Sequence, residues 1–184
     1  MKLEVAVHRW ERLFADLEAQ FAESELSDLR AEVADRTRSE LAKLRMADRL
    51  RAIPGHELAV WTGGTTVRGT VQASGPDWLL LAEPNGAEIV IALASVLKIT
   101  GLGRRATMPG SEGRLAGRLR LSYILRGIAR DRVTVAVTLT DGSTLAGVVD
   151  RVGADHIDVS QDLAEVNGAM TVPFGAVALV RRGP

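Results

Sequence analysis

The chain repeats itself, and that constrains its fold more than any other property. The stretch from Thr62 to Leu81 aligns without a gap against Thr140 to Val159. Thr62, Gly64, Thr66, Gly69, Val71, Gly75 and Asp77 recur as Thr140, Gly142, Thr144, Gly147, Val149, Gly153 and Asp155, a constant shift of 78 positions. Turn residues and apolar positions recurring together at one shift mark two copies of one small β unit.

The residues of each copy spell out that unit. From Glu57 the apolar pattern alternates: Leu58–Trp61, a Gly63-Gly64 turn, then Thr65–Ala73 with Gly69 inside it. Gly75-Pro76-Asp77 turns into Trp78–Leu81, Pro84-Asn85-Gly86 into Glu88–Leu93, and Val96–Thr100 completes five short strands. A glycine within the second strand suits a sharp bend, and closely spaced turns suit a small closed or nearly closed barrel. In the second copy, strands are expected at Val133–Leu139, Thr144–Val152, His156–Ser160, Met170–Phe174 and Val177–Arg181. After a short insertion, the tails IALASVLKI and VPFGAVALV align at a shift of 81, each with room for one 3₁₀ turn before its last strand.

Helical spacing governs the rest. Trp10, Leu13, Phe14, Leu17 and Phe21 predict a first short helix. Ser24 is the expected N-cap of a second, in which Leu26, Leu29, Val33, Thr37, Leu41, Leu44 and Ala47 line one side until Pro54-Gly55 stops it. Arg49 and Arg51 lie in its last turn, where positive charge suits the dipole. The two are expected to pair as a hairpin, but about 28 residues of helix span about 42 Å, longer than a small barrel is wide. Part of the stripe is then left for a partner. A further helix fits Arg114–Arg130, with Leu115, Leu119, Tyr123 or Ile124, and Ile128 on one side. The expected organisation is α+β: a helical arm (1–55), a first five-stranded barrel (56–102), a basic linker and helix (103–132) and a second barrel (133–184).

A helix followed by five strands, the second bent at a glycine and the fifth preceded by a 3₁₀ turn, resembles the Sm-like and SH3-like small barrels. The residues carrying the resemblance are Gly69, Val71, Gly75, Asp77, Leu79 and Leu81 in copy one and Gly147, Val149, Val152, Asp155, Ile157 and Val159 in copy two. The segments LRGIARDRVTV and DRVGADHIDV also look like conserved uncharacterised proteins of actinobacteria. The resemblance implies a fold and no activity. Sm proteins that hold uridines place an Asp and an Asn after the bent strand. Here the Asp lies two positions late, Ile157 or Asp158 stands where the Asn belongs, and copy one ends Ile99-Thr100-Gly101 with no basic residue. The uridine pocket is therefore not implied.

Composition narrows the function classes. The chain has 184 residues, 46% of them apolar, and no cysteine, which excludes disulfides, thiolate metal sites and a thiol nucleophile. The charged N-terminal stretch does not read as a signal peptide and no apolar run is long enough to span a membrane, so a cytoplasmic protein is expected. Arginine far exceeds lysine (only Lys2, Lys43 and Lys98), as in GC-rich bacterial genes. No serine sits in a nucleophile elbow, and Gly101-Leu102-Gly103 lacks the spacing of a dinucleotide site. His156 and Asp158 share a strand face beside Asp155, but copy one has Trp78 and Leu80 there, so a surface pair is expected rather than metal ligands. Neither a catalytic set, a cofactor site nor a metal site is assigned; His8 and His56 have no motif partner.

Charges cancel at 23 each, but not locally. Between Lys98 and Arg132 there are nine basic residues against Glu112 and Asp131. Arg104, Arg105, Arg118 and Arg120 are the candidate contacts to a nucleic-acid backbone. The leading expectation is a non-enzymatic binding or assembly protein that meets a protein partner, or itself, through the helical arm and the barrel edges. The alternative is an RNA- or DNA-binding module using residues 98–132.

Overall fold

A computed structural model describes residues 2–108, 119–161 and 168–183. It divides the chain into two units, residues 1–43 and 44–184.

The first unit is one helix, α1 (Lys2–Lys43), about 63 Å long at 1.5 Å per residue. The expected hairpin is therefore corrected: Ser24 lies inside a continuous helix, not at an N-cap. No glycine or proline occurs between Lys2 and Lys43, so no residue forces a turn where the apolar stripe changes phase. The break comes at Leu44-Arg45, and α2 (Met46–Arg51) belongs to the second unit. Its start is fixed by Asp48, whose carboxylate accepts the Arg45 amide at 2.8 Å and also pairs with Arg51. Thr107, beyond the first five strands, returns to donate both its amide and its hydroxyl to the Asp48 carbonyl, at 3.0 Å each.

The strands are β1 (Glu57–Thr62), β2 (Thr66–Ser74), β3 (Trp78–Ala82), β4 (Glu88–Ala92), β5 (Val96–Thr100), β6 (Thr134–Leu139), β7 (Thr144–Val152), β8 (His156–Ser160), β9 (Met170–Pro173) and β10 (Val177–Arg182). A 3₁₀ turn precedes the last strand of each copy, at Leu93–Ser95 and Phe174–Ala176. All ten strands form one antiparallel sheet, ordered β5-β1-β2-β3-β4-β10-β6-β7-β8-β9. Both copies thus run fifth, first, second, third, fourth. Both also carry the same irregularity, a register shift between Val71 and Ala73 in one and between Val149 and Arg151 in the other.

The expected barrels, closed or nearly closed and joined by a basic linker and helix, are not found as closed units. The sheet is open, with β5 and β9 at its edges, and the copies are joined strand to strand. Four pairs make the joint: Ile91 with Leu179, Val90 with Val180, Ile89 with Arg181 and Glu88 with Arg182. The cause is legible in the strands. Ile89–Ala92 and Val177–Val180 are unbroken apolar runs that leave no polar face for water, so each is buried on both sides. Arg181 extends the joint by pairing with Glu83 at 3.2 Å.

Each copy keeps its own core, and the cores interlock. Leu50 and Ile53, from α2 and the residues after it, pack with Leu58, Val60, Val67, Val71, Leu79, Leu81, Ile89 and Ile91, and Leu179 of copy two joins them. Copy two is covered by α3 (Leu121–Asp131), which seats Leu121, Leu125 and Ile128 on Val135, Val137, Val149, Ile157 and Val159. Trp78, Val90 and Ala92 of copy one complete that second core. The predicted helix at Arg114–Arg130 is shortened, since Leu119 and Arg120 are not helical and 114–118 lie outside the described residues. Its buried face is Leu121, Leu125 and Ile128, with Tyr123 exposed.

Candidate functional site

From Gln20 onward, α1 presents large apolar side chains to solvent. Phe21, Leu26, Leu29, Val33 and Leu41 are each more than half exposed. Within α1 the spacing 26, 29, 33, 37, 41 averages about 3.75 residues, further from the 3.5 of a left-handed coiled coil than the 3.6 of a straight helix. The other faces are charged, with Asp35–Arg38 at 3.0 Å and Glu40–Lys43 at 2.7 Å. Lys43 holds the Glu40 carboxyl below its ordinary range by hydrogen bond and charge.

The basic segment is only partly free to bind anything. Arg104 and Arg105 are exposed, whereas Arg118 lies outside the described residues. Arg120 leans toward Asp77 at 3.7 Å. That carboxylate also accepts the Leu121 amide at 2.8 Å, while the Trp78 indole donates to the Leu119 carbonyl at 2.6 Å. Asp77 and Trp78, at the head of β3, therefore fix the start of α3, where a helix leaves its first amides unpaired. Sequence reasoning missed this pair of roles; the signal was Trp78 standing where copy two has His156. Arg126 donates to the Gly153 carbonyl at 3.3 Å, Arg132 pairs with Asp150 at 3.1 Å and Arg182 with Asp131 at 3.1 Å. Tyr123, Arg126 and Arg130 are exposed on α3 and line an open groove of about 500 Å³ with Asp150 and Val152.

At the sheet edges, Leu97 on β5 is 75% exposed, and the Lys98 ammonium sits 4.0 Å from the Trp61 ring centre. A second open groove, of about 560 Å³, runs along the bend of β2 between Glu57, Arg68, Gly69, Gln72, Glu83 and Thr100.

The histidine pair is local. His156 Nδ1 lies 2.8 Å from Asp155, and this hydrogen bond is the main cause that lowers the Asp155 pKa. Asp158 turns instead to the Thr171 hydroxyl at 2.7 Å, so the three groups do not converge. Among the described residues no group of three or more His, Asp or Glu is placed to hold a metal, and no helix is long and apolar enough to cross a membrane. His56 Nδ1 lies 3.3 Å from the Pro54 carbonyl. No protein-family model matches the chain, and no curated protein matches it significantly.

Proposed function

We propose that this chain is a non-enzymatic, cytoplasmic binding and assembly protein, in which tandem Sm/SH3-like modules carry a helical interaction arm. The exposed apolar stripe on α1 carries the reading. Monomeric proteins rarely expose so many large apolar side chains in one row, and such rows are docking surfaces. The module assignment is supported by the strand order common to both copies, their shared bulge, their 3₁₀ turns and their separate cores. The test is Leu29→Glu with Val33→Glu in the full chain. Light scattering and co-purification from the native host should lose the associated species while circular dichroism keeps the sheet. A wild-type chain that is monomeric and brings down no partner ends this reading.

A nucleic-acid role through residues 98–132 is the second reading, favoured by Tyr123, Arg126 and Arg130 on one outward face of α3 and, separately, by the exposure of Arg104 and Arg105. It requires affinity that falls steeply with salt and weakens in Arg104→Ala, Arg105→Ala and Arg130→Ala. Arg120→Ala should instead act through its contact with Asp77. No mobility shift with single-stranded RNA or duplex DNA at low salt would exclude it.

A further inference from the structure

We infer that the occupant of the α1 stripe is a second copy of this chain, laid antiparallel, so that the acidic tract of each arm meets the arginines of the other. The inference rests on the assembly reading above and names its partner and orientation. Its basis is the charge beside the stripe. From Gln20 to Asp28 the arm carries Glu23, Glu25 and Asp28 and no base, and Arg30, Arg36 and Arg38 follow. At 100° per residue, Glu23, Arg30 and Arg38 lie along one edge of the row Leu26, Leu29, Val33 and Thr37, and Glu25, Glu32 and Arg36 along the other. All six are exposed. Each edge thus runs from acid to base. Thr37 belongs to the row because its hydroxyl donates back to the Val33 carbonyl at 2.7 Å and is satisfied within the helix.

A two-fold axis across antiparallel helices brings like edges together. Glu23 and Arg38 share their midpoint with Glu25 and Arg36, between Arg30 and Ala31. With the axis at that point, Glu23 meets the partner's Arg38 and Glu25 meets the partner's Arg36, and each pair occurs twice. The same register interleaves the apolar row: Leu26 comes between the partner's Val33 and Thr37, and Leu29 beside the partner's Val33. One contact is unfavourable, since Arg30 faces its own equivalent, but its long stem lets the charge turn to water. A parallel pair is worse. Opposite edges then meet in register, setting Glu23 against the partner's Glu25 and Arg38 against the partner's Arg36, with only Arg30 and Glu32 opposed in sign. In the single chain Arg38 pairs with Asp35 at 3.0 Å, but both are more than two-thirds exposed, so that contact gives way at little cost. Leu26 to Leu41 spans about 22 Å of helix, a short seam, so the pair is reversible and dependent on concentration.

Sedimentation of the full chain over a range of concentrations is the test. The wild type should dimerise. Glu23→Arg with Glu25→Arg, and separately Arg36→Glu with Arg38→Glu, should each weaken the dimer about tenfold or more, and all four changes together should restore it. Restoration also shows that neither double variant fails by misfolding. A parallel pair predicts no weakening, because each double variant only exchanges one set of facing like charges for another. Orientation is read independently, since the chain has no cysteine to compete for a label. Ser39 is far from the axis and Ala31 beside it, and both are exposed. A nitroxide on Ser39→Cys should therefore lie about 10 Å further from its twin than one on Ala31→Cys. Equal distances would overturn the inference, as would a dimer indifferent to the double variants or a fourfold variant that stays apart. A wild-type monomer that brings down another protein, lost in Leu29→Glu with Val33→Glu, removes this inference and leaves the arm reading standing. A monomer with no partner removes both.

Discussion

The two copies share a backbone and differ where each meets its surroundings. In both, a ring lies over a glycine three residues before the head of the third strand, since a Cβ on Gly75 or Gly153 would run into Trp78 or His156. The rings then diverge. Trp78 is buried in the core of the other copy and holds the Leu119 carbonyl, while His156 is half-buried and turns to its own neighbour Asp155. The covering helices differ in the same sense: six residues in α2, eleven in α3. Duplication fixes the scaffold, and the residues beside the joint then specialise to bind the copies together.

Exchanging the two rings tests that directly and should give the largest effect. Trp78→His removes a buried indole and its hydrogen bond to Leu119. The expected cost is about 3 kcal/mol, at the low end for truncating a buried aromatic. The reverse change, His156→Trp, falls on a half-exposed site and should stay within about 0.5 kcal/mol. Urea unfolding of both variants is the measurement, and equal costs would show that the copies are not specialised here. Because Leu179 sits in the first core and Trp78 in the second, both variants should still unfold in a single transition.

Where the copies agree, substitutions should cost the same in each. Gly69→Ala drives a Cβ into the Ala82 carbonyl and Gly147→Ala into the Ser160 carbonyl, and in each case backbone must give way. About 1–3 kcal/mol is expected for each, matched to within about 0.5 kcal/mol. A pair differing by more would mean the bent strands are supported differently despite their identical glycines.

Periodicity two and the turn glycines place every strand in the sequence, because local chemistry decides them: a bend needs its glycine and a half-buried strand its alternation. The joint was not legible in that way. Ile89–Ala92 and Val177–Val180 read as buried strands, but an apolar run does not say what buries it, and a closed barrel and a neighbouring copy predict the same pattern. The arm failed for a related reason. The phase change between Phe21 and Leu26 looks like a helix boundary, yet nothing between them breaks a helix, and backbone hydrogen bonds carry α1 through. Of the four arginines selected for nucleic acid, charge counting could not show that Arg120 leans on Asp77. That depends on a carboxylate 43 positions earlier in the chain.

A smaller difference should separate Asp77 from its equivalent. Asp77→Ala leaves the Leu121 amide without its acceptor at the start of α3, a loss of about 1 kcal/mol, as for a missing N-cap. Asp155→Ala removes only a contact with an adjacent ring and should stay within about 0.5 kcal/mol. Hydrogen exchange sharpens the contrast. Protection should fall in the first turn of α3 in the Asp77 variant and stay unchanged in the other; a uniform loss in both would mean that Asp77 does not hold the helix.

The smallest effect belongs to the first hairpin turn of each copy, Thr62-Gly63-Gly64-Thr65 against Thr140-Asp141-Gly142-Ser143. The two turns touch, with Gly64 packed so closely on Gly142 that a Cβ would collide with it. Only the second carries a carboxylate. Asp141 accepts the Ser143 hydroxyl at 2.6 Å and its amide at 2.9 Å, and these bonds lower its pKa, the hydroxyl contributing most. A lowered folded-state pKa stabilises the fold above the unfolded value of about 3.9 and ceases to do so as pH falls through the folded value. The Tm gap between the native chain and Asp141→Ala should therefore be constant near neutrality and narrow below about pH 4. Gly63→Ala has a cost of its own, since its Cβ would run into the Thr140 carbonyl, but with no carboxylate at Gly63 that cost should show no such acid dependence. A gap that widened in acid would mean the charged form of Asp141 is disfavoured in the folded turn, contrary to its two hydrogen bonds with Ser143.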